Sequence, residues 1–182
     1  KIDIKFLDDF SKQLDDELIK LEKEIEKVSG KIFNISSPKQ LGEILFDYLK
    51  LSDKPKKTKS GQYSTSEETL IKIRDKHPII NLILEHREIN KLNSTYVKAL
   101  PKVAISEKIH TTFNQTITAT GRLSSTNPNI QNIPIRSKRG KLIRKAFKSR
   151  SFDFTLLAAD YSQIELRIMA ALSNDKFMIN AF

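Results

Sequence analysis

At 182 residues, 38% hydrophobic and 30% charged, the chain suffices for one large domain or two small ones and is apolar enough to bury a core. No run approaches the roughly 18 consecutive apolar residues of a membrane span, and the opening KIDIKFLDDF lacks the apolar stretch of a secretory leader. The absence of cysteine excludes disulfides and thiolate metal sites and fits a reducing compartment. The formal charge of +10 is unevenly placed: residues 1–28 carry 6 basic and 9 acidic side chains, residues 101–150 carry 11 and 1, and no acid lies between Lys108 and Phe152. A solvated surface mixes both signs, so this segregation points to a surface that follows phosphates. Lys1 is not an initiator Met, which reads as a chain cut from a longer one.

In chain order, Ile4, Leu7, Phe10, Leu14, Leu18, Leu21, Ile25 and Val28 recur three or four residues apart, which predicts a long amphipathic helix stopped by Gly30. A coiled-coil strand and one arm of a helical hairpin both fit this stripe. Ser36-Ser37-Pro38 predicts a second start, with Leu41, Ile44, Leu45 and Leu49 following. Asp53 to Ser66 has the composition of a flexible loop, and Ser66-Glu67-Glu68-Thr69 reads as another helix start. A further helix is expected from Pro78 to Leu100, ended by Pro101 and packed antiparallel to the first. Beyond it, Val103 and Ile105, then Ile109, Thr111, Phe113 and Gln115 to Ile117, alternate like strands, with a hairpin turn at Ser106-Glu107-Lys108. Thr120 to Pro134 reads as irregular, and the basic Arg136–Arg150 stretch reads in part as a solvated loop. Phe154 to Ala159 predicts a short strand leading to Asp160, with a helix from Ile164. The fold class is therefore α+β, helical to about residue 101 and mixed after it.

A carboxylate held between a buried strand and a helix suits a hard cation such as Mg²⁺. An Asp at such a junction also commonly caps the helix, and Asp160 alone leaves both readings open.

The string DYSQIELRIMA, from Asp160, resembles the first catalytic motif of the family A DNA polymerases, the bacterial polymerase I family. TATGRLSSTNPNIQNIPIR (118–136) resembles the family's segment against the primer–template minor groove, and IHTTFNQ (109–115) precedes it. LNSTYVKALP (92–101) resembles the end of the thumb helix and KKTKSGQYSTSEETL the thumb tip, so the likeness covers nearly the whole chain in the family's order.

The resemblance implies a long antiparallel helical thumb over 1–101 and the first part of an antiparallel-sheet palm over 102–182, ending in a strand–helix catalytic motif. It implies that Asp160 binds both Mg²⁺ ions of a two-metal phosphoryl transfer, with the Tyr161 carbonyl as a further ligand. Gln163 and Ile164 would line the nucleotide pocket, and Glu165 would be the steric gate against a ribose 2′-hydroxyl. A helix ion pair is the plain alternative for Glu165. Arg122 would reach the minor groove, where purine N3 and pyrimidine O2 acceptors test pair shape without reading sequence. Asn129, Gln131 and Asn132 would join it and Arg136 would contact the backbone. Turn chemistry is the competing role of Asn127 and in part of Asn129. Lys91, Asn93, Ser94 and Thr95 on the thumb helix, and Thr58, Lys59 and Ser60 at its tip, would hold phosphates and carry no base information.

Expected partners are primer–template DNA and deoxynucleoside triphosphates, in a monomeric, cytoplasmic, nucleoid-associated bacterial protein of replication and repair. The Val103–Lys108 connection lacks the family hairpin's usual glycine. The chain also stops short of the fingers and the second metal-binding carboxylate, so the longer protein is expected to polymerise DNA and these 182 residues alone are not. A non-catalytic nucleic-acid-binding or coiled-coil module explains the helix and the charge but not the ordered motifs. A phage or organellar replicative polymerase shares the first motif. His77, His86 and His110 have no metal-ligand spacing, and no glycine-rich phosphate loop is present.

Overall fold

Gly30 ends the first helix where the stripe predicts: at φ +67° it donates its N–H to the Glu26 carbonyl, a conformation that glycine adopts without steric cost. In this computed structural model, which describes residues 1–135 and 137–182, α1 spans Ile4–Ser29. Its first turn is capped by Asp3, whose carboxylate accepts from the Phe6 N–H at 3.0 Å. Leu7, Phe10, Leu14, Leu21 and Ile25 are buried along one face.

That face packs on α4, Ile79–Leu92. The pair is antiparallel, since Glu22 meets His86 (3.2 Å) while Asp15 meets Asn93 (2.8 Å). One core cluster joins Leu7, Phe10 and Leu14 to Ile89, Leu92, Tyr96 and Leu100. The other joins Ile25 to Ile79, Ile80 and Ile83 and to the short helices. Those are α2, Pro38–Gly42, capped by Ser37 and running into a π-helical turn at Glu43–Tyr48, and α3, Glu67–Lys72, capped by Ser66. The Asp53–Ser66 segment is not the open loop its composition suggests. Lys57 pairs with Tyr63, and the Thr58 N–H donates to the Gln62 carbonyl at 2.7 Å, closing a tight turn.

Pro101 does not end the long helix. The α-helical part stops at Leu92 and continues as a π-helical turn, Asn93–Val97, in which the Lys98 N–H reaches the Asn93 carbonyl at 2.8 Å. Pro101 then sits in the first turn of α5, Leu100–Val103, where a missing N–H leaves no helical bond unmade.

The expected 103–117 hairpin is also corrected. Ser106 and Glu107 both adopt left-handed φ, +47° and +60°, and make a two-residue turn bridging Ile105 to Lys108, but no ladder extends from it. Instead β1, Thr112–Asn114, pairs antiparallel with β2, Ser124–Thr126, inside the stretch expected to be irregular. Val103 belongs to α5 and cannot supply the strand.

The basic stretch folds as a helix, α6, Lys138–Lys145, capped by Ser137. Ile143 and Ala146 are buried in the cluster with α1 and α4. Gly140 permits this docking, because a Cβ there would lie 2.7 Å from the Pro134 Cβ. Chain segment 1–3 closes the arrangement: Ile2 pairs with Phe147, and the Asp3 N–H donates to the Ala146 carbonyl at 2.7 Å.

By contact the chain divides into two units, Lys1–Lys148 and Ser149–Phe182. The second holds α7, Ile164–Ser173, and α8, Lys176–Ala181, capped by Asp175. Phe154–Ala159 does not form the expected strand. Among the described residues no strand pairs with it; the Phe154 N–H turns back to the Ser151 carbonyl at 3.2 Å, and an extended segment without a ladder leaves backbone groups to water.

Leu14→Ala should lower the unfolding free energy by about 2–5 kcal/mol in chemical denaturation, because it empties a fully buried site between two helices, whereas Ile19→Ala on the exposed face should change it by less than about 0.5 kcal/mol. A second outcome concerns acid. The hydrogen bond from Lys148, then that from the Phe6 N–H, holds the Asp3 carboxyl below its ordinary 3.8. A depressed folded pKa contributes stability above pH 3.8 that disappears as pH falls through the folded value. Asp3→Asn keeps a capping oxygen but not the charge, so the wild-type advantage over it should be full near neutrality and vanish in the acid limb of a stability–pH curve.

Candidate nucleic-acid interface and carboxylate site

In the first unit, α4, its π-turn and α5 form one wall of a groove of about 1430 Å³, and Pro128, Asn129, residues 131–135 and Ser137 form the other. Lys91, Thr95, Asn129, Gln131 and Asn132, scattered over 42 positions of sequence, all line it. Leu92, Ala99, Leu100, Ile133 and Pro134 give it an apolar floor, and toward α3 its rim mixes Glu67, Arg74 and Glu88.

Hydrogen bonds, rather than packing, fix the 125–132 wall. The Ser125 hydroxyl is 1% exposed and lies at its centre. It accepts from the N–H groups of Ile130 (3.1 Å) and Gln131 (3.2 Å) and donates to the Asn129 Oδ1 at 3.1 Å. Asn129 also accepts from the Gln131 N–H at 3.1 Å, so its side-chain oxygen does turn chemistry while the side chain stays exposed. Gln131 and Asn132 are exposed. The two walls are tied by the Tyr96 hydroxyl, which donates to the Asn132 carbonyl at 2.5 Å.

Asn93 is a correction. It is 2% exposed, donates from Nδ2 to Asp15 at 2.8 Å and accepts from the Ser11 hydroxyl at 3.1 Å. A buried amide with both ends engaged has no surface to offer a phosphate. Its neighbours Ser94 and Thr95 are exposed on the same π-turn, with the Ser94 hydroxyl donating back to the Asn90 carbonyl at 2.7 Å. Thr58, Lys59 and Ser60 are exposed at the tip turn, where the Thr58 and Ser60 hydroxyls lie 3.0 Å apart. Arg122 is exposed at the end of the loop joining β1 to β2, after Gly121 at φ +72°. Arg136 lies outside the described residues.

The basic stretch is sorted by α6. Lys138, Lys141, Arg144 and Lys145 are exposed along its outer side, while Arg139 turns inward. Arg139 donates to Glu17 of α1 at 3.0 Å and to Glu85 of α4 at 2.8 Å. Burial works against its charge, but the bonds it donates to Glu85 and Glu17 outweigh that and push its pKa above the ordinary guanidinium value. Of the helix's basic side chains, Arg139 serves the fold and the other four face solvent without an acid among them. Like charges three and four apart on one helix repel by a few tenths of a kcal/mol per pair, a cost that a bound polyanion would reverse.

In the second unit Asp160 is exposed and follows an unpaired apolar run. It is not a helix cap: the residue before α7 is Gln163, at φ +52°, whose side chain makes no capping bond. Tyr161 is 80% exposed. Ile164 and Glu165 begin α7, and Arg167 fastens its first turn by donating to the Ser162 carbonyl at 2.9 Å. Among the described residues no group of three or more His, Asp or Glu side chains converges to hold a metal. The oxygen donors present, the Asp160 carboxylate and the Tyr161 carbonyl, fit a hard cation in kind and are fewer than its coordination requires.

Sequence reasoning missed the bonds that Ser125, Tyr96 and Asp15 make around the groove. Ser125 lies in a Ser/Thr run with nothing to single it out, and Asp15 is one of nine acids in the first 28 residues.

Comparison with known proteins agrees over the whole chain. The model of DNA polymerase family A matches residues 4–182. DNA polymerase I of Synechocystis sp. is 52% identical and that of Bacillus subtilis 50%, each aligned to 100% of this chain and to 19% and 21% of its own length. The thermostable DNA polymerase I of Thermus thermophilus is 46% identical, aligned to 100% of this chain and 22% of its own length. The chain thus spans about one fifth of the length of the curated relatives it matches. Among solved structures, the POL domain of Pol1 from M. smegmatis, in complex with DNA primer-template and dNTP, superposes with a TM-score of 0.87 at 43% identity, over 100% of this chain and 32% of that one. The chain belongs to DNA polymerase family A.

Proposed function

We propose that the protein carrying this chain is a template-directed DNA polymerase, and that the chain supplies its grip on primer–template DNA and the first carboxylate of its metal site. The observation that carries this reading is the groove, in which Lys91, Thr95, Asn129, Gln131 and Asn132, distant in sequence, share one surface. A groove with neutral amides on one wall and a lysine and a hydroxyl on the other matches a duplex presented by its minor groove. Amides can meet the acceptors common to all base pairs, and ammonium and hydroxyl groups can meet phosphates. In this reading residues 1–101 are the thumb and 102–182 the first part of the palm. Arg122 and Arg136 extend the contact, Ser94 and the tip residues Thr58, Lys59 and Ser60 add phosphate contacts, and the outer side of α6 adds charge. The partners are primer–template DNA and deoxynucleoside triphosphates, and the setting is that of a monomeric, cytoplasmic, nucleoid-associated bacterial enzyme.

In the second unit, Asp160 and the Tyr161 carbonyl would hold Mg²⁺ together with donors from elsewhere in the protein and from the triphosphate. When bound, the metal would lower the pKa of a primer 3′-hydroxyl and neutralise charge on the triphosphate. The chain's own residues would position that chemistry. Asp160 follows the apolar run directly, Gln163 and Ile164 border the nucleotide, and Glu165 crowds the sugar 2′ position. A carboxylate is costly to desolvate against a hydroxyl it cannot accommodate, which favours deoxyribose. With one such carboxylate, catalysis belongs to the longer protein, and metal-dependent primer extension by the 182 residues alone would contradict this reading.

Asp160→Ala in the full-length protein should reduce primer extension by roughly 10³-fold or more while primer–template affinity in a filter or fluorescence assay stays within about twofold. A variant with extension intact would remove Asp160 from the site. For the interface, log affinity for duplex DNA should fall linearly with log salt. Replacing Lys141 and Arg144 of the full-length protein by Gln should make that slope shallower by about 0.9 for every phosphate the side chains no longer neutralise. An unchanged slope would take the outer side of α6 out of the interface.

A further inference from the structure

The π-turn at Asn93–Val97 is built around a carboxylate that belongs to another helix. Asp15 of α1 accepts through the same oxygen from the Asn93 Nδ2 and from the Lys98 Nζ, each at 2.8 Å. Those two residues are the ends of the turn, also joined by the bond from the Lys98 N–H to the Asn93 carbonyl at 2.8 Å. A π-turn inserts one residue into a helix and is rare unless neighbouring structure holds it. Ser11, one turn earlier on α1, donates to the other end of the Asn93 amide at 3.1 Å. Between the clamped ends, Ser94 and Thr95 face outward and Tyr96 reaches across to the Asn132 carbonyl.

We propose that Asp15 is a positioning residue for the groove: by holding both ends of the π-turn it sets where Thr95 presents its hydroxyl and where Tyr96 fixes the opposite wall. Asp15 touches no ligand in this scheme. The proposal rests on the reading of the groove as a duplex-binding surface.

Charge and position make opposite predictions here, which allows a clean test. Removing an acid and releasing Lys98 raises the positive potential, so electrostatics alone predicts that Asp15→Ala binds DNA more tightly. Loss of the clamp predicts weaker binding. The experiment measures primer–template affinity of the full-length protein, at two salt concentrations, for wild type, Asp15→Ala, Asp15→Asn, Asn93→Ala and Ile25→Ala. Asp15→Ala should bind about three- to tenfold more weakly than wild type, as for the loss of one or two hydrogen bonds. Asn93→Ala is neutral in charge and should weaken binding to a similar degree. Asp15→Asn retains an acceptor for Asn93 and should restore affinity to wild type or better. Ile25→Ala destabilises the other core cluster and should leave affinity unchanged, which separates positioning from general loss of stability. Equal or tighter binding by both Asp15→Ala and Asn93→Ala, with salt-dependent wild-type binding intact, would overturn the clamp and leave the groove reading standing. Wild-type binding that is absent or insensitive to salt would overturn the groove reading itself, and the clamp with it.

Discussion

Leu7, Phe10 and Leu14 of α1 share one cluster with Ile89, Leu92 and Tyr96, and Ile25 at the other end shares a second with Ile79, Ile80 and Ile83. Neither helix could keep such a stripe from water alone, and each fully buried Leu or Ile in the pair contributes about 1.5–3 kcal/mol. What is placed in the groove depends on the first of these clusters, where the antiparallel helices meet beside it. That packing sets Asp15 opposite Asn93 and so determines the π-turn. It also brings Glu17 and Glu85 together as a paired acceptor for Arg139, which draws α6 onto the helices with Ile143 beneath it. The apolar stripe supplies the energy, and the polar contacts choose the register.

The acidic bias of the first 28 residues and the basic bias of residues 101–150 are two sides of that arrangement. Part of the attraction is satisfied internally, through Glu17 with Arg139 and Asp3 with Lys148, and Asp15 likewise pairs with Lys98 just before the basic stretch. These pairs are partly exposed, so each adds little to stability. Their larger effect is sorting. Arg139 is drawn inward by its two acids, Lys98 and Lys148 stay exposed in their pairs, and what is left outside on α6 is a row of cations.

Elements whose cause is local were legible in the sequence. Ser37, Ser66 and Gly30 act as caps because the bonds they make are within four residues, and the α1 stripe is a period of the chain itself. The failures share the opposite property. β1 pairs with β2 ten residues later, and β2 itself is a Ser-Ser-Thr run inside a Gly-, Ser- and Thr-rich stretch that looks irregular, so Ser124–Thr126 reads as a strand only when its partner is known. Pro101 misleads because a proline that ends one helix can equally begin another. Asn93 was assigned to a surface by its polarity, and only the approach of Asp15 and Ser11, 78 and 82 residues away, shows that it is buried. The groove residues were legible one by one through family likeness, but not as a single surface.

Asp160 and the groove differ in how their geometry is specified. Ser125, Asn129 and Gln131 bond one another within six residues, and Tyr96 joins that wall to α4, so the first unit holds the groove by bonds within itself. Asp160 has no such set. The helix that follows it is fastened by Arg167 and begins after the turn at Gln163, while Phe154 to Ala159 belongs to no ladder among the described residues. A metal carboxylate must be held to within a fraction of an ångström to be useful. If Asp160 carries a metal as proposed, that precision must come from contacts beyond those the second unit makes by itself, where Leu156, Leu157 and Asp160 all stay exposed.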